Sequence, residues 1–243
     1  MGLPTSDYNR GMETRRSYGD ACGVSRALDL VGERWALLVV RELLLGPKRF
    51  TDIREGLPHL SADVLAQRLR DLEHAQLLRR RRLPPPAASQ VYELTPRGAA
   101  LEPVLIALGR WGGANAPPPP DGVGMSLEAH IVSLRTLFDP DLAGDFRATL
   151  EVRLGEHRFR ADVADGRIDV GRGEAPTADA TIDTDPGTLL ALIHGRRELA
   201  DALRAGDIAI EGDEQVVARF LGLFPLPAPA AADERERYQG LRS

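Results

Sequence analysis

The chain has 243 residues, of which 43% are hydrophobic and 28% are charged, as in ordinary globular proteins. No apolar run approaches the roughly 20 residues of a membrane-spanning helix, and the single cysteine excludes a disulfide within the chain. The net charge of −5 hides an asymmetry, because residues 1–115 hold 17 Lys and Arg against 13 Asp and Glu, and residues 116–243 hold 14 against 23. Only the basic half is expected to attract phosphates.

Four consecutive prolines at residues 117–120 divide the chain, because a proline run cannot continue a helix and forms a stiff spacer. The polar first 20 residues lack the apolar segment of a signal peptide, so we expect a cytoplasmic protein with no membrane partner. The expected organisation is a disordered arm over 1–20, a first domain over 21–115, a proline-rich linker over 116–125, a second domain over 126–226 and a tail over 227–243.

The first domain is predicted to be mostly helical, with a two-stranded hairpin near its end. Gly46-Pro47 ends the second helix, Ser61 is a plausible N-cap of the fourth, and Thr95-Pro96 begins the last. The hairpin has a proline-rich tip at residues 84–86. The predicted elements are helices over 25–31, 35–45, 50–56, 61–75 and 96–111, with strands over 77–83 and 90–94.

The fourth helix has two unlike faces. Leu65, Leu69 and Leu72 fall on one side at 100° per residue and predict the side that packs in the core. The opposite side could enter a major groove about 12 Å wide, where a glutamine can pair with adenine and an arginine with guanine. An ordinary amphipathic surface helix is the alternative. The residues on the outward side are Asp63, Gln67, Arg70 and His74, with Ala66 at the edge.

Four consecutive arginines at residues 79–82 lie in the first hairpin strand. A short helix, a turn, a second helix and a basic hairpin follow one another in the order of a winged helix-turn-helix, in which the hairpin lies along the phosphate backbone. A solvated strand edge is the alternative, but a bare run of like charges repels itself. The residues expected to contact DNA are Lys48, Arg49, Thr51, Ser61, Ala62, Asp63, Ala66, Gln67, Arg68, Arg70, Arg79, Arg80, Arg81, Arg82 and Gln90.

Four ordered motifs within residues 20–113 resemble the HxlR-type regulators: CGVSRALDLVGERW (22–35), LLLGPKRFTDI (43–53), LAQRLRDLE (65–73) and YELTPRG (92–98). The resemblance implies a winged-helix homodimer, expected to be a repressor, on a pseudo-palindromic operator in double-stranded DNA. The family often has polar or basic residues where this chain has Ala62 and Asp63, so the operator sequence does not follow by analogy. The subunit contact implied by the family would use Leu28, Leu105, Leu108 and Trp111.

Cys22 matches a cysteine that is usual in this family and that senses electrophiles or oxidants in some members. The resemblance therefore implies a thiol switch, and a place before the first helix would favour the thiolate. With no second cysteine, the switch would need a disulfide between subunits or a small thiol. A small buried hydrophobic residue is the alternative.

The second domain is predicted to contain an antiparallel meander with one buried face, because apolar and polar residues alternate over 146–154, 158–163 and 168–170. A further strand is expected over 178–184 and a short one over 208–210. Helices are expected over 127–138, 186–194, 198–205 and 214–220.

The segments 146–163, 178–185, 189–195 and 206–213 resemble the sterol-carrier-protein fold. The resemblance implies an α/β domain in which helices cover one face of an antiparallel sheet and enclose an apolar cavity, so that the whole chain is α+β. A plain hydrophobic core is the alternative, since a domain of about 100 residues needs that many buried apolar groups. The candidate lining residues are Leu137, Phe138, Phe159, Ile182, Leu189, Ile193, Leu203, Phe220, Leu223 and Phe224.

Catalysis finds little support, so we expect no enzyme, no cofactor and no metal. The five histidines lack metal-ligand spacing, no glycine-rich phosphate loop is present, and Asp183 and Asp185 flank a turn where such residues commonly cap a helix. The expected function is sequence-specific transcriptional regulation, with an apolar small molecule as effector of the second domain. The alternatives are a lipid- or small-ligand-binding module whose winged helix serves for dimerisation, and a redox regulator acting through Cys22.

Overall fold

The computed structural model describes residues 17–85, 88–117 and 124–226. The predicted tail, most of the predicted arm and linker, and the last residue of the predicted hairpin tip lie outside these residues. Ser17 and Tyr18, at the end of the arm, hydrogen-bond through the Ser17 hydroxyl and the Tyr18 amide to the carboxylate of Asp29. None of the helices in the described ranges is both long and apolar enough to cross a bilayer.

The first half folds as a helical unit with a two-stranded wing, which confirms the predicted class. The predicted last helix is broken in two, because Pro103 has no amide hydrogen and its ring would collide with the carbonyl of Ala99 in a continuous helix. The elements are α1 (Gly23–Val31), α2 (Ala36–Leu43), α3 (Phe50–Gly56), α4 (Ala62–His74), β1 (Leu78–Arg82), β2 (Gln90–Leu94), α5 (Pro96–Ala99) and α6 (Glu102–Asn115).

Gly98 fixes the base of the wing against α5. The hydroxyl of Thr95 accepts a hydrogen bond from the Gly98 amide (3.1 Å) and donates one to the Gln76 carbonyl (2.7 Å), while the Thr95 amide donates to the Leu77 carbonyl (3.0 Å). These bonds bring the backbones so close that a Cβ at Gly98 would lie 1.9 Å from the Leu77 carbonyl oxygen. The close approach therefore requires glycine.

Replacing Gly98 by alanine should lower the free energy of unfolding by about 2 kcal/mol or more, because backbone atoms must move to admit the methyl group. Urea unfolding followed by circular dichroism measures the change. Gly171→Ala is the matched control, since nothing lies within 4 Å of a Cβ there and its φ is unexceptional. Equal stability of Gly98→Ala and Gly171→Ala would contradict the steric account.

The second half forms a five-stranded sheet with helices. Its strands follow the order β5-β4-β3-β6-β7, and β3, β4 and β5 are the predicted antiparallel meander. β6 runs parallel to β3, with Ala180 beside Leu150, so the sheet is mixed rather than wholly antiparallel. The elements are α7 (Leu127–Leu137), α8 (Pro140–Ala143), β3 (Ala148–Leu154), β4 (His157–Ala164), β5 (Arg167–Arg172), β6 (Ala180–Thr184), α9 (Pro186–Ile193), α10 (Leu199–Ala205), β7 (Ile208–Gly212) and α11 (Glu214–Leu221).

The carboxylate of Glu151, in β3, ties the loop after β5 to the sheet. It accepts hydrogen bonds from the Ala175 amide (2.8 Å) and from the guanidinium groups of Arg153 (2.7 Å) and Arg158 (3.0 Å). These hydrogen bonds lower the pKa of Glu151 to about 2, with the largest contribution from the Ala175 amide and the next from Arg153. The charged form is thus favoured in the folded protein.

Because the folded-state pKa lies below the unfolded value near 4.5, the stabilisation by Glu151 is complete above pH 4.5 and is lost as the pH falls towards 2. The stability difference between wild type and Glu151→Gln should therefore shrink between pH 5 and pH 3 in urea titrations. Glu156→Gln, at a side chain that is 90% exposed, should show no such change. A Glu151→Gln difference that stays constant over this range would refute the linkage.

Candidate nucleic-acid interface

Helix α4 presents the predicted outward face to solvent. The Ser61 hydroxyl accepts a hydrogen bond from the Val64 amide (3.4 Å) and caps the helix, while Leu65, Leu69 and Leu72 are buried beneath it. The leucine spacing turns the other side outwards. The exposed residues on that side are Asp63, Gln67, Arg70 and His74, with Ala62 and Ala66 half-buried beside them.

Gln67 and Arg70 form a short hydrogen-bonded chain on this face. The Arg70 guanidinium donates to the side-chain oxygen Oε1 of Gln67 (2.7 Å), and the side-chain nitrogen Nε2 of Gln67 donates to the Asp71 carboxylate (2.9 Å). Each side chain keeps further donors and lone pairs for a base edge.

Arg68 points away from this face. Its side chain is only 15% exposed, and its guanidinium lies 3.2 Å from Glu33 and 3.3 Å from Asp71. These contacts connect α4 with the turn between α1 and α2. The structure thus places Arg68 in the packing of the helices and outside the exposed surface.

The wing arginines have carboxylate partners within the protein. The Nε atoms of Arg79 and Arg81 each lie 2.7 Å from Glu93, and Arg80 lies 3.0 Å from Glu73. Among the described residues no ion pair holds Arg82. A concave surface on the wing is lined by Arg80, Arg81, Arg82, Ala88 and Gln90.

The start of α3 lies next to the wing. Arg49 is exposed, and its Nε donates a hydrogen bond to the hydroxyl of Ser89 (3.1 Å), just before β2. Thr51 is exposed one residue into α3 and donates to Asp52 (3.0 Å). Arg49 and Thr51 therefore extend the polar surface formed by α4 and β1.

Lys48 is turned inwards. Its side chain is 12% exposed, and its ammonium lies 2.9 Å from Glu42 and 2.8 Å from Glu128, a residue of the second half. Burial alone would raise the pKa of Glu128, but hydrogen bonds from Lys48 and Arg172 outweigh burial and hold that pKa at about 2. Lys48 therefore does not lie on the exposed surface that the sequence predicted for it.

Glu42 is fully buried where the two halves meet. It accepts hydrogen bonds from Arg41 (2.9 Å) and from the hydroxyl of Ser126 (2.6 Å), the N-cap residue of α7. Sequence reasoning missed this cluster, although a charged pair inside the apolar run of α2 is the signal that could have revealed it. A charge in such a helix needs a buried partner.

The comparisons with known proteins assign the two halves of the chain, which meet at the proline run, to different families. The family model for HxlR-like helix-turn-helix proteins matches residues 30–119. YvaP of Bacillus subtilis, an uncharacterized HTH-type transcriptional regulator, is 38% identical over 86 residues, 35% of this chain and 80% of YvaP. The chain belongs to the HxlR-like helix-turn-helix family. The HTH-type transcriptional regulator YodB of the same organism is 39% identical over 85 residues, 35% of this chain and 76% of YodB.

The second half of this HxlR-like chain matches the family model of the alkyl sulfatase C-terminal domain over residues 124–230. The matching family is thus not that of the sterol-carrier proteins, although the α/β architecture is as expected. The structure of the sec-alkylsulfatase Pisa1 from Pseudomonas sp. is 21% identical with a TM-score of 0.40, covering 46% of this chain. The chain spans only 19% of that enzyme.

Large apolar side chains of this HxlR-like chain are exposed on α1 and on α6. Leu28, Leu108 and Trp111, three of the four residues predicted to form the dimer contact, are exposed, and Trp111 is 65% exposed. The fourth, Leu105, is partly buried against the first core. Elsewhere on α6, Arg110 donates hydrogen bonds to the carbonyls of Thr136 (2.7 Å) and Phe138 (3.2 Å) at the end of α7.

The ten residues predicted to line an apolar cavity all belong to the second core. Leu137 and Leu203 are partly buried, and the other eight are buried. Phe224 packs against Phe220 and Phe138, with ring centroids 5.0 and 6.2 Å apart. These side chains fill space in the described structure, in line with the alternative of a plain core.

Cys22 is exposed at the N-terminus of α1, which differs from the small buried residue of the alternative reading. Its amide donates a hydrogen bond to the carboxylate of Asp20 (3.0 Å), which also accepts one from Ser25 (2.8 Å). Cys22 is therefore exposed at a position where its backbone is held by an acidic side chain.

Proposed function

We propose that the protein is a transcriptional regulator that binds a two-fold symmetric operator in double-stranded DNA as a homodimer. The observation that carries this proposal is the exposed polar face of α4 beside the arginine-bearing strand β1, in a chain of the HxlR-like family. The relatives YvaP and YodB are both named as HTH-type transcriptional regulators. The role is one of binding rather than catalysis, in the compartment that holds the chromosome.

Helix α4 determines which DNA sequence is bound. Gln67 and Arg70 exchange their mutual hydrogen bond for contacts with adenine and with guanine or a phosphate. The small side chains of Ala62 and Ala66 let the helix approach the base edges closely. Asp63 repels phosphate and can accept a hydrogen bond from cytosine.

The wing and the start of α3 supply affinity that does not depend on sequence. Arg79, Arg80 and Arg81 must exchange Glu93 and Glu73 for phosphates, whereas Arg82 needs no such exchange among the described residues. Each arginine–phosphate contact releases counterions, so affinity falls as salt rises. The proposed contacts are Arg49, Thr51, Ser61, Ala62, Asp63, Ala66, Gln67, Arg70, Arg79, Arg80, Arg81, Arg82 and Gln90, without Lys48 and Arg68.

The separation between sequence choice and sequence-independent affinity can be tested directly. Preferred sites are selected from random DNA, and the affinity of each variant for them is measured by fluorescence anisotropy. Arg82→Glu should weaken binding to all sequences and reduce the salt slope by about 1 or more, whereas Gln67→Ala should alter the preferred sequence and leave the slope unchanged. Arg147→Glu is the control, because it makes the same charge change at an exposed residue of the second half. A wild-type protein that selects no sequence would overturn the proposed function.

The exposed apolar side chains of α1 and α6 are proposed as the dimer contact, because large exposed apolar groups commonly mark an interface with another protein. A charge placed there should separate the subunits, because an unpaired carboxylate cannot be buried cheaply.

Trp111→Glu should convert the dimer to a monomer and weaken operator binding, since each subunit then holds one half-site alone. Analytical ultracentrifugation measures the mass. Leu142→Glu, at an exposed leucine of α8, should leave the dimer intact. A Trp111→Glu protein that remains dimeric would exclude this surface as the contact.

Control of DNA binding by an apolar ligand or by Cys22 stays a prediction. A ligand would have to separate packed side chains such as Phe220 and Phe224. One observation supports the thiol switch: Cys22 is exposed at the start of α1, the helix that also carries Leu28 of the proposed dimer contact.

A further inference from the structure

Lys48 is hydrogen-bonded to the wing through its backbone. Its amide donates to the carbonyl of Tyr92 (3.0 Å), and the Tyr92 amide donates to the Lys48 carbonyl (2.8 Å). Tyr92 lies in β2 directly opposite Arg80, and the Arg80 guanidinium stands over the Tyr92 ring, 5.6 Å from its centre. The segment before α3 thus forms a one-residue antiparallel bridge with the wing.

The side chain of Lys48 reaches the opposite way, to the second half. Its ammonium lies between Glu42 and Glu128, and the other oxygen of Glu128 pairs with Arg172 at the end of β5. Four side chains thus form a series of ion pairs, Glu42–Lys48–Glu128–Arg172, which is called the ion chain below. Their charges alternate in sign, and each residue comes from a different segment of the fold.

The first member of the ion chain has little room to move. A Cβ at Gly56 would lie 2.2 Å from a carboxylate oxygen of Glu42, so the absence of a side chain there makes room for this carboxylate. Ser126 donates to its other oxygen (2.6 Å) while accepting a hydrogen bond from the Ala129 amide (3.1 Å). Glu42 is therefore a fixed end of the ion chain, and Glu128 is the partner of Lys48 that belongs to the second half.

We propose that Lys48 is a positioning residue of the wing, through which Glu128 of the second half sets the strength of DNA binding. Lys48 acts by holding the strand that contains Tyr92, and so the arginine opposite it, rather than by touching DNA. The proposal rests on the proposed function and adds to it the route by which the second half controls the first.

Direct contact of Lys48 with phosphate is the competing account, and the two accounts differ in sign at Glu128. If Lys48 met a phosphate, loss of the Glu128 charge would free its ammonium and strengthen binding. If Lys48 positions the wing, loss of that charge leaves the buried ammonium with one partner fewer and weakens binding.

The test measures the affinity of the full chain for the selected site in a salt series. Glu128→Gln and Lys48→Met should both weaken binding about tenfold, within the usual range of coupling between sites, with the salt slope unchanged. Glu198→Gln, the same charge change at an exposed residue whose side chain makes no cap hydrogen bond to α10, should bind as wild type. Stronger or unaltered binding by Glu128→Gln, or a salt slope reduced by about 1 in Lys48→Met, overturns the proposal.

A second measurement needs no DNA and so separates failure of this inference from failure of the proposed function. Fluorine resonances of the chain labelled with 3-fluorotyrosine report the surroundings of Tyr92, whose signal is assigned by Tyr92→Phe. Glu128→Gln should shift that signal and Glu198→Gln should not. Ser126→Ala removes a bond to Glu42 without altering charge, and should also shift it, which covers the case in which Lys48→Met does not fold. An unmoved Tyr92 signal in Glu128→Gln and Ser126→Ala refutes the link.

Discussion

A carboxylate without access to water, that of Glu42, governs how the two halves of this protein fit together. Burying such a group costs several kcal/mol unless donors surround it. Its donors are Arg41 beside it, Lys48 from the loop that pairs with the wing, and Ser126 from the start of α7. Because Lys48 belongs to the loop that pairs with the wing and Ser126 to the second half, the hydrogen bonds to this one carboxylate link the wing to the second half.

The wing shows how a run of like charges is tolerated in the unbound protein. Self-repulsion among the four arginines was an argument for an external partner, yet Glu93 lies between two of them and Glu73 beside a third. These exposed pairs are individually weak, so phosphates can displace the carboxylates. In the unbound protein the acidic side chains offset part of the repulsion among the arginines.

Local patterns predicted most of the fold and the exposed face of the site. The spacing of Leu65, Leu69 and Leu72 set the orientation of α4, and Ser61 and Thr95 cap the helices that they were expected to cap. Pro103 could have predicted the break between α5 and α6. The inward turn of Lys48 could not be predicted, because its partner Glu128 lies 80 residues away and periodicity carries no information about such a pair. The parallel placing of β6 beside β3 is hidden for the same reason.

Leu45, just beyond the end of α2, is buried in the hydrophobic core of the second half and not in that of its own. The ribosome delivers it some 80 residues before the helix α7 that begins that core. Until α7 is synthesised, Leu45 lacks the core in which it is buried, and the carboxylate of Glu42 lacks its hydrogen bond from Ser126. A fragment cut at the prolines would therefore leave Leu45 without its core and Glu42 without the Ser126 hydrogen bond.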